Sequence, residues 1–118
     1  MAAVAAISIY VTDLDQATKF YTEALGFTVK ERIDGVLVEL AHDGPALVLC
    51  LSDTPATRTY PGGVVLGFPT GDLKADAARL KQAGARFVHG APEPFPAGEF
   101  MACFDPFGNA LEMLSFNK

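Results

Sequence analysis

The residues of this chain that could do chemistry are few, and their spacing limits what they can do. Among its 118 residues are two histidines, His42 and His89, and two cysteines, Cys50 and Cys103. The cysteines lie far apart in apolar stretches and form no CxxC or other zinc spacing, which predicts two buried, reduced thiols. The histidines stand at strand ends beside glycine-bearing turns, the setting of exposed or loop-packing imidazoles. Two carboxylates interrupt apolar strand-like runs, Glu39 in VLVELA and Glu112 in NALEML. A carboxylate held against apolar walls can meet positive charge on a ligand or, with a raised pKa, serve as a general base. Without imidazole partners, a Glu39–Glu112 pair is a poor site for zinc or iron. Tyr10, in ISIYV, supplies a hydroxyl that could act as proton donor beside such a base.

The elements that must position these residues follow from periodicity and punctuation. Half of the chain is hydrophobic, which predicts one compact domain over 1–118 with a substantial core. The formal net charge of −5 gives a field that repels phosphate backbones and anionic membrane surfaces, so neither nucleic acid nor membrane is an expected partner. No apolar run reaches the ~18 residues that span a bilayer. The apolar start, Met1 to Val11, lacks a basic n-region and leads straight into a strand pattern, so a cytoplasmic protein is expected.

The chain also repeats itself. VAAISIYVTDLDQ (4–16) and GVVLGFPTGDLKA (63–75) are apolar runs closed by Asp-Leu, at Asp13-Leu14 and Asp72-Leu73. A helical pattern follows each pair and stops at a glycine, Gly26 or Gly84. Leu14, Ala17, Phe20, Tyr21, Ala24 and Leu25 form the first apolar stripe; Leu73, Ala77, Leu80 and Ala83 form the second. Asp13 and Asp72 are placed as N-caps. Three strand-like runs then follow in each half: 27–33, 36–41 and 46–52, and later 85–90, 99–105 and 110–116. Asp34-Gly35 is a strong hairpin signal. Each half is therefore predicted as βαβββ, with modules at 1–52 and 63–118 and a Pro-, Thr- and Gly-rich linker at 53–62. The Pro-rich segment APEPFPAGE (91–99) accounts for the greater length of the second half.

A doubled βαβββ unit, with the opening phrase VTDLDQATKFYTEALGF (11–27) and the closing phrase DPFGNALEML (105–114), resembles the vicinal oxygen chelate superfamily of glyoxalases, bleomycin-resistance proteins and dioxygenases. The resemblance covers nearly the whole chain. It implies an α+β fold of two tandem βαβββ modules, whose curved mixed sheets surround a cleft and carry helices on the outer face. Metal-dependent relatives hold their ion with His or Gln on the first strand and Glu on the last strand of each module. The matching positions here are Ala6, Val48, Val65 and Glu112. Three of these side chains have no lone pair to offer, so the resemblance leads to a member whose metal site has been lost. No cofactor is expected; a divalent metal bound at an atypical site is the alternative.

Period-two alternation lists the residues that share the ligand positions' face. Ser8 and Tyr10 go with Ala6, Cys50 with Val48, Gly67 with Val65, and Leu114 with Glu112. Glu39 lies opposite its flanking Val38 and Leu40. The candidate ligand-binding set is therefore Ser8, Tyr10, Glu39, Val48, Cys50, Val65, Glu112 and Leu114, an apolar surface with isolated polar groups. The phase of strand 99–105 is open, and with it the placement of Phe100 and Phe104. The alternative is that both glutamates stand at a wet rim and bind nothing. The resemblance implies a homodimeric, metal-independent protein that binds a small cationic or aromatic molecule, as bleomycin-resistance proteins do. The alternative is a glyoxalase- or dioxygenase-like enzyme, with an atypical metal or with Glu112 as base.

Overall fold

The computed structural model describes residues 4–117; Met1–Ala3, part of the apolar start, and Lys118 lie outside the described residues. The chain divides into two compact units, residues 1–56 and 57–118. Among the described residues the architecture is mixed α+β: nine strands in two mixed sheets, with one helical segment in each unit.

In the first unit, β1 (Ala6–Val11) leads into α1 (Leu14–Lys19), which continues as a π-helical turn over Phe20–Ala24. Three strands follow: β2 (Thr28–Ile33), β3 (Leu37–Ala41) and β4 (Ala46–Leu51). The sheet order is β1-β4-β3-β2, with β1 parallel to β4 and the other pairs antiparallel. Asp13 caps the helix by accepting the Gln16 N–H at 3.0 Å. The expected stripe is the buried one, at Leu14, Ala17, Phe20, Tyr21 and Ala24. It packs on Val38, Leu40, Leu47 and Leu49, each buried from one face of the sheet. A leucine so buried contributes on the order of 1.5–3 kcal/mol. The opposite face carries Ser8, Tyr10, Glu39, Val48 and Cys50, all half-buried or exposed.

In the second unit, β5 (Leu66–Pro69), α2 (Leu73–Gln82) and β6 (Arg86–Phe87) precede β7 (Glu93–Phe95), β8 (Gly98–Phe104) and β9 (Ala110–Phe116). The order is β5-β9-β8-β6, with β7 also paired to β8 and β5 parallel to β9. Asp72 caps α2 through the Ala75 N–H at 3.1 Å. Leu73 and Leu80 pack α2 into a core with Met101, Cys103, Leu111 and Met113.

Three expectations need correction in this unit. Ala83 is exposed, because α2 ends at Gln82 and Ala83 already serves as its C-cap; Ala85 is the residue buried there. The predicted strand over 85–90 shrinks to Arg86–Phe87. Its ladder stops where the His89 side chain replaces a backbone carbonyl: Nε2 accepts the Ala102 N–H at 3.2 Å. The Pro-rich segment is not merely an insertion, since Glu93–Phe95 pairs with Gly98–Phe100 as a tight hairpin. Pro94 is tolerated because β7 is an edge strand, where a missing N–H costs no ladder bond.

Candidate functional site

The register of β8 against β9 resolves which side chains accompany Glu112. Met101 and Cys103 lie opposite Met113 and Leu111, all four buried under α2. The alternate residues therefore share the face turned away from α2: Phe100 opposite Leu114, Ala102 opposite Glu112, and Phe104 opposite Ala110. From the other side, Gly67 of β5 lies opposite Glu112. A side chain at Gly67 would meet Leu114 Cδ1 at 2.8 Å, so the glycine is what lets Leu114 lie over β5.

Rings gather on the same face. Phe95 meets Phe100 and Phe116 edge to face, with centroids 6.0 and 5.9 Å apart. His89 meets Phe100 in the same manner at 5.6 Å. Because Nε2 of His89 accepts from the Ala102 N–H, its proton is assigned to Nδ1, which donates to the Ala91 carbonyl at 2.9 Å. Glu93 lies 3.4 Å from that nitrogen. His89 is thus a wall of the site held in one tautomer rather than a loose imidazole.

The partner of Glu112 is a residue that sequence reasoning missed. Tyr60, from the segment between β4 and β5, donates its phenolic hydroxyl to Oε2 of Glu112. Desolvation first, then this bond, then the charges of Glu112 and Glu93 push the Tyr60 phenol from 10.0 up to about 12. The hydroxyl is therefore a firm donor at neutral pH. Nothing in DTPATRTYPG except an aromatic among turn residues marked it, and 52 positions separate it from its partner.

The other candidates fall as follows. Val65 immediately precedes β5, and Leu114 lies over Gly67 on the Glu112 face. In the first unit, Ser8 pairs with Val48, and Val48 with Glu39, in one row across the sheet. Val48 opposite Ser8 repeats Glu112 opposite Gly67, which supports their equivalence in the internal repeat. Ala6 lies opposite Ala46. Glu39 is paired with Lys30 at 3.6 Å, so its charge is partly met within the chain. Both line a shallow cavity of about 500 Å³ together with His42 and Asp43. Tyr10 and Leu51 line a second cavity, of about 680 Å³. Cys50 is half-buried, and its thiol reaches only the Val48 carbonyl, at 4.0 Å. His42 is exposed, with Nε2 at the Pro45 carbonyl and its ring edge-on to Phe27 at 6.1 Å.

Residues 3–113 match the Glyoxalase/Bleomycin resistance protein/Dioxygenase superfamily. The chain belongs to this superfamily. It is 37% identical over 103 residues to an uncharacterized protein of Mycolicibacterium smegmatis, covering 87% of this chain and 84% of that one. Among solved structures, a superfamily enzyme from Burkholderia phytofirmans PsJN aligns with a TM-score of 0.80 at 16% identity, over 98% of this chain and 100% of that one. TnmS3, an antibiotic binding protein from Streptomyces sp. CB03234, aligns with a TM-score of 0.69 at 29% identity, over 99% and 98%.

The positions that the resemblance matches to metal ligands are held here by Ala6, Val48, Val65 and Glu112. Methyl and isopropyl groups donate nothing, and the one carboxylate already accepts from Tyr60. Among the described residues, no group of three or more His, Cys, Asp or Glu side chains is disposed to hold an ion. This donor set does not fit a divalent metal. No helix among the described residues is long and apolar enough to cross a membrane.

Proposed function

We propose that the chain binds a small aromatic or cationic molecule on the helix-free face of its second sheet, without a metal and without chemical turnover. The observation that carries this reading is Glu112. It is a half-buried carboxylate on a face that also carries Phe95, Phe100, Leu114 and Phe116. Apolar walls with one or two converging polar groups are the usual composition of a ligand site. The rings offer edges and faces to a planar or cationic group. The similarity to an antibiotic binding protein supports an antibiotic-like ligand. Glu39, with its Lys30 partner, contributes a second polar feature in the first unit.

The reading makes two demands. Metal analysis of protein purified without chelator should find no stoichiometric zinc, nickel, iron or manganese; about one ion per chain would defeat it. A thermal-shift screen of planar aromatics and cationic glycopeptides should yield compounds that raise the melting temperature, since a ligand of the native state must stabilise it. Glu112→Gln should weaken those hits. Hits indifferent to that substitution would remove the carboxylate from the site.

A second reading, a proton-transfer enzyme, is favoured by one observation: a carboxylate base and a hydroxyl donor stand in contact. In this version Tyr60 replaces Tyr10 as the donor to Glu112. A phenol at about 12 gives up its proton poorly at neutral pH, so the pair is better suited to hold a ligand than to turn one over. We further propose a homodimer, in keeping with the exposed apolar side chains of Tyr10, Ile33, Val36, Val64 and Phe116. Size-exclusion chromatography with light scattering tests it.

A further inference from the structure

We propose that Tyr60 is a built-in occupant of the Glu112 site, and that the site's ligand is a planar aromatic compound with a neutral hydroxyl group that takes Tyr60's place. This rests on the reading of the second sheet as a ligand face, and it names the class of ligand. The Tyr60 phenol is itself such a group: an aromatic ring carrying one O–H, delivered to Oε2 of Glu112. What the carboxylate accepts from its own chain, it accepts from a ligand of the same chemistry. An O–H donated to an ionised carboxylate is roughly twice as strong as a neutral pair, which makes hydroxyl recognition selective.

Three further observations support the exchange. The phenol is delivered by a segment that belongs to no helix or strand: β4 ends at Leu51 and β5 begins at Leu66. Moving Tyr60 away therefore breaks no bond of either sheet. The ring that replaces Tyr60 finds Phe100 and Phe116 on the same face as Glu112. Burial first, then the bond to Glu112 and the charges of Glu112 and Glu93, disfavour the anion of the phenol. The site thus selects a hydroxyl that stays protonated and rejects phenolates and carboxylates.

An internal occupant lowers the apparent affinity of any competitor by the fraction of time it vacates the site. Removing the Tyr60 hydroxyl should therefore strengthen binding, the opposite of what loss of a ligand contact would do. The probes are 2-naphthol and 2-methoxynaphthalene, which share a ring system and differ in the O–H. Titration calorimetry on the intact chain should show Tyr60→Phe binding 2-naphthol about tenfold more tightly than wild type, with Tyr60→Ala at least as tight. Glu112→Gln should bind it about tenfold more weakly than wild type, while 2-methoxynaphthalene changes less than twofold between Glu112→Gln and wild type. In tyrosine labelled with ¹³C at Cζ, the Tyr60 resonance should move as 2-naphthol saturates. Equal or weaker binding of 2-naphthol by both Tyr60 variants overturns the proposal. If 2-methoxynaphthalene binds all forms as well as 2-naphthol does, the ligand face stands and the exchange falls. If neither probe binds any form, both fall.

Discussion

The hydrogen bond from Tyr60 to Glu112 has a thermodynamic signature that needs no ligand. The phenol is raised from 10.0 to about 12 in the folded chain. Above pH 10 the unfolded chain loses this proton while the native state keeps it, so stability falls as pH rises. The contribution is complete below pH 10, declines between 10 and 12, and is gone above 12. One pH unit of differential protonation is worth about 1.4 kcal/mol. Because the phenol is only half-buried, solvent screening reduces the loss expected between pH 9 and pH 11 to roughly 0.7 kcal/mol. The assay is urea denaturation of wild type and Tyr60→Phe at both pH values. Ionisation of lysines and of the other tyrosines is common to the two proteins and cancels in the double difference. Wild type should lose roughly 0.7 kcal/mol more than Tyr60→Phe. Parallel losses would show that the Tyr60 hydroxyl is as well solvated folded as unfolded, and the contact with Glu112 would then not exist in solution.

Other perturbations test the frame around the site. Gly98→Ala would place a Cβ 1.9 Å from the Ser115 carbonyl oxygen, a backbone atom that cannot move aside without parting β8 from β9. A loss of about 3 kcal/mol is expected in urea denaturation, with weakened ligand binding, since Gly98 pairs with Phe116. Asp105 is 1% exposed and accepts from the Phe107 N–H (2.9 Å), the Asn109 N–H (2.8 Å) and Asn109 Nδ2 (3.0 Å). Asp105→Ala orphans these donors and should cost about 3 kcal/mol; a loss below about 1 kcal/mol would mean that water replaces the carboxylate. Burial first, then the charge of Asp105, pushes the Cys103 thiol up to about 12, so native protein should offer a thiol reagent at most one sulfur per chain, Cys50. Both should react in denaturant, and rapid modification of Cys103 in native protein would contradict its burial.

Most of the fold was legible because its signals are local. Asp13 and Asp72 announce their helices, and both make the capping bond. Gly26 and Gly84 adopt the positive φ that ends a helix. Alternation of large and polar residues fixed the buried face of β1, β3 and β4, because a side chain in a strand has only two directions to point. Local signals fail where pairing is decided at a distance. Residues 99–105 read EFMACFD, apolar at nearly every position, and only the register against β9 shows that Met101 and Cys103 turn inward while Phe100 and Phe104 turn out. The short strand Glu93–Phe95 was hidden by Pro94, which argues against a strand except at an edge. At the site, Glu112 was legible as a charge inside an apolar run. Its partner was not, since Tyr60 lies in a segment without periodicity and reaches the carboxylate through tertiary structure alone.

The parallel pairing of first and last strands has a consequence for how such a chain changes over time. In each unit the last strand lies inside its sheet, β4 between β1 and β3, β9 between β5 and β8. Val48 and Glu112 are thus carried by backbone bonded on both sides, yet their side chains emerge on the face that the helices do not cover. Exchanging a carboxylate for an isopropyl group there alters no ladder bond and no core contact beneath the helices. Reactivity on this scaffold can therefore be gained or discarded by single substitutions while folding is left almost untouched, and the connecting segment, free of either sheet, is where a new partner for the remaining carboxylate is most cheaply recruited.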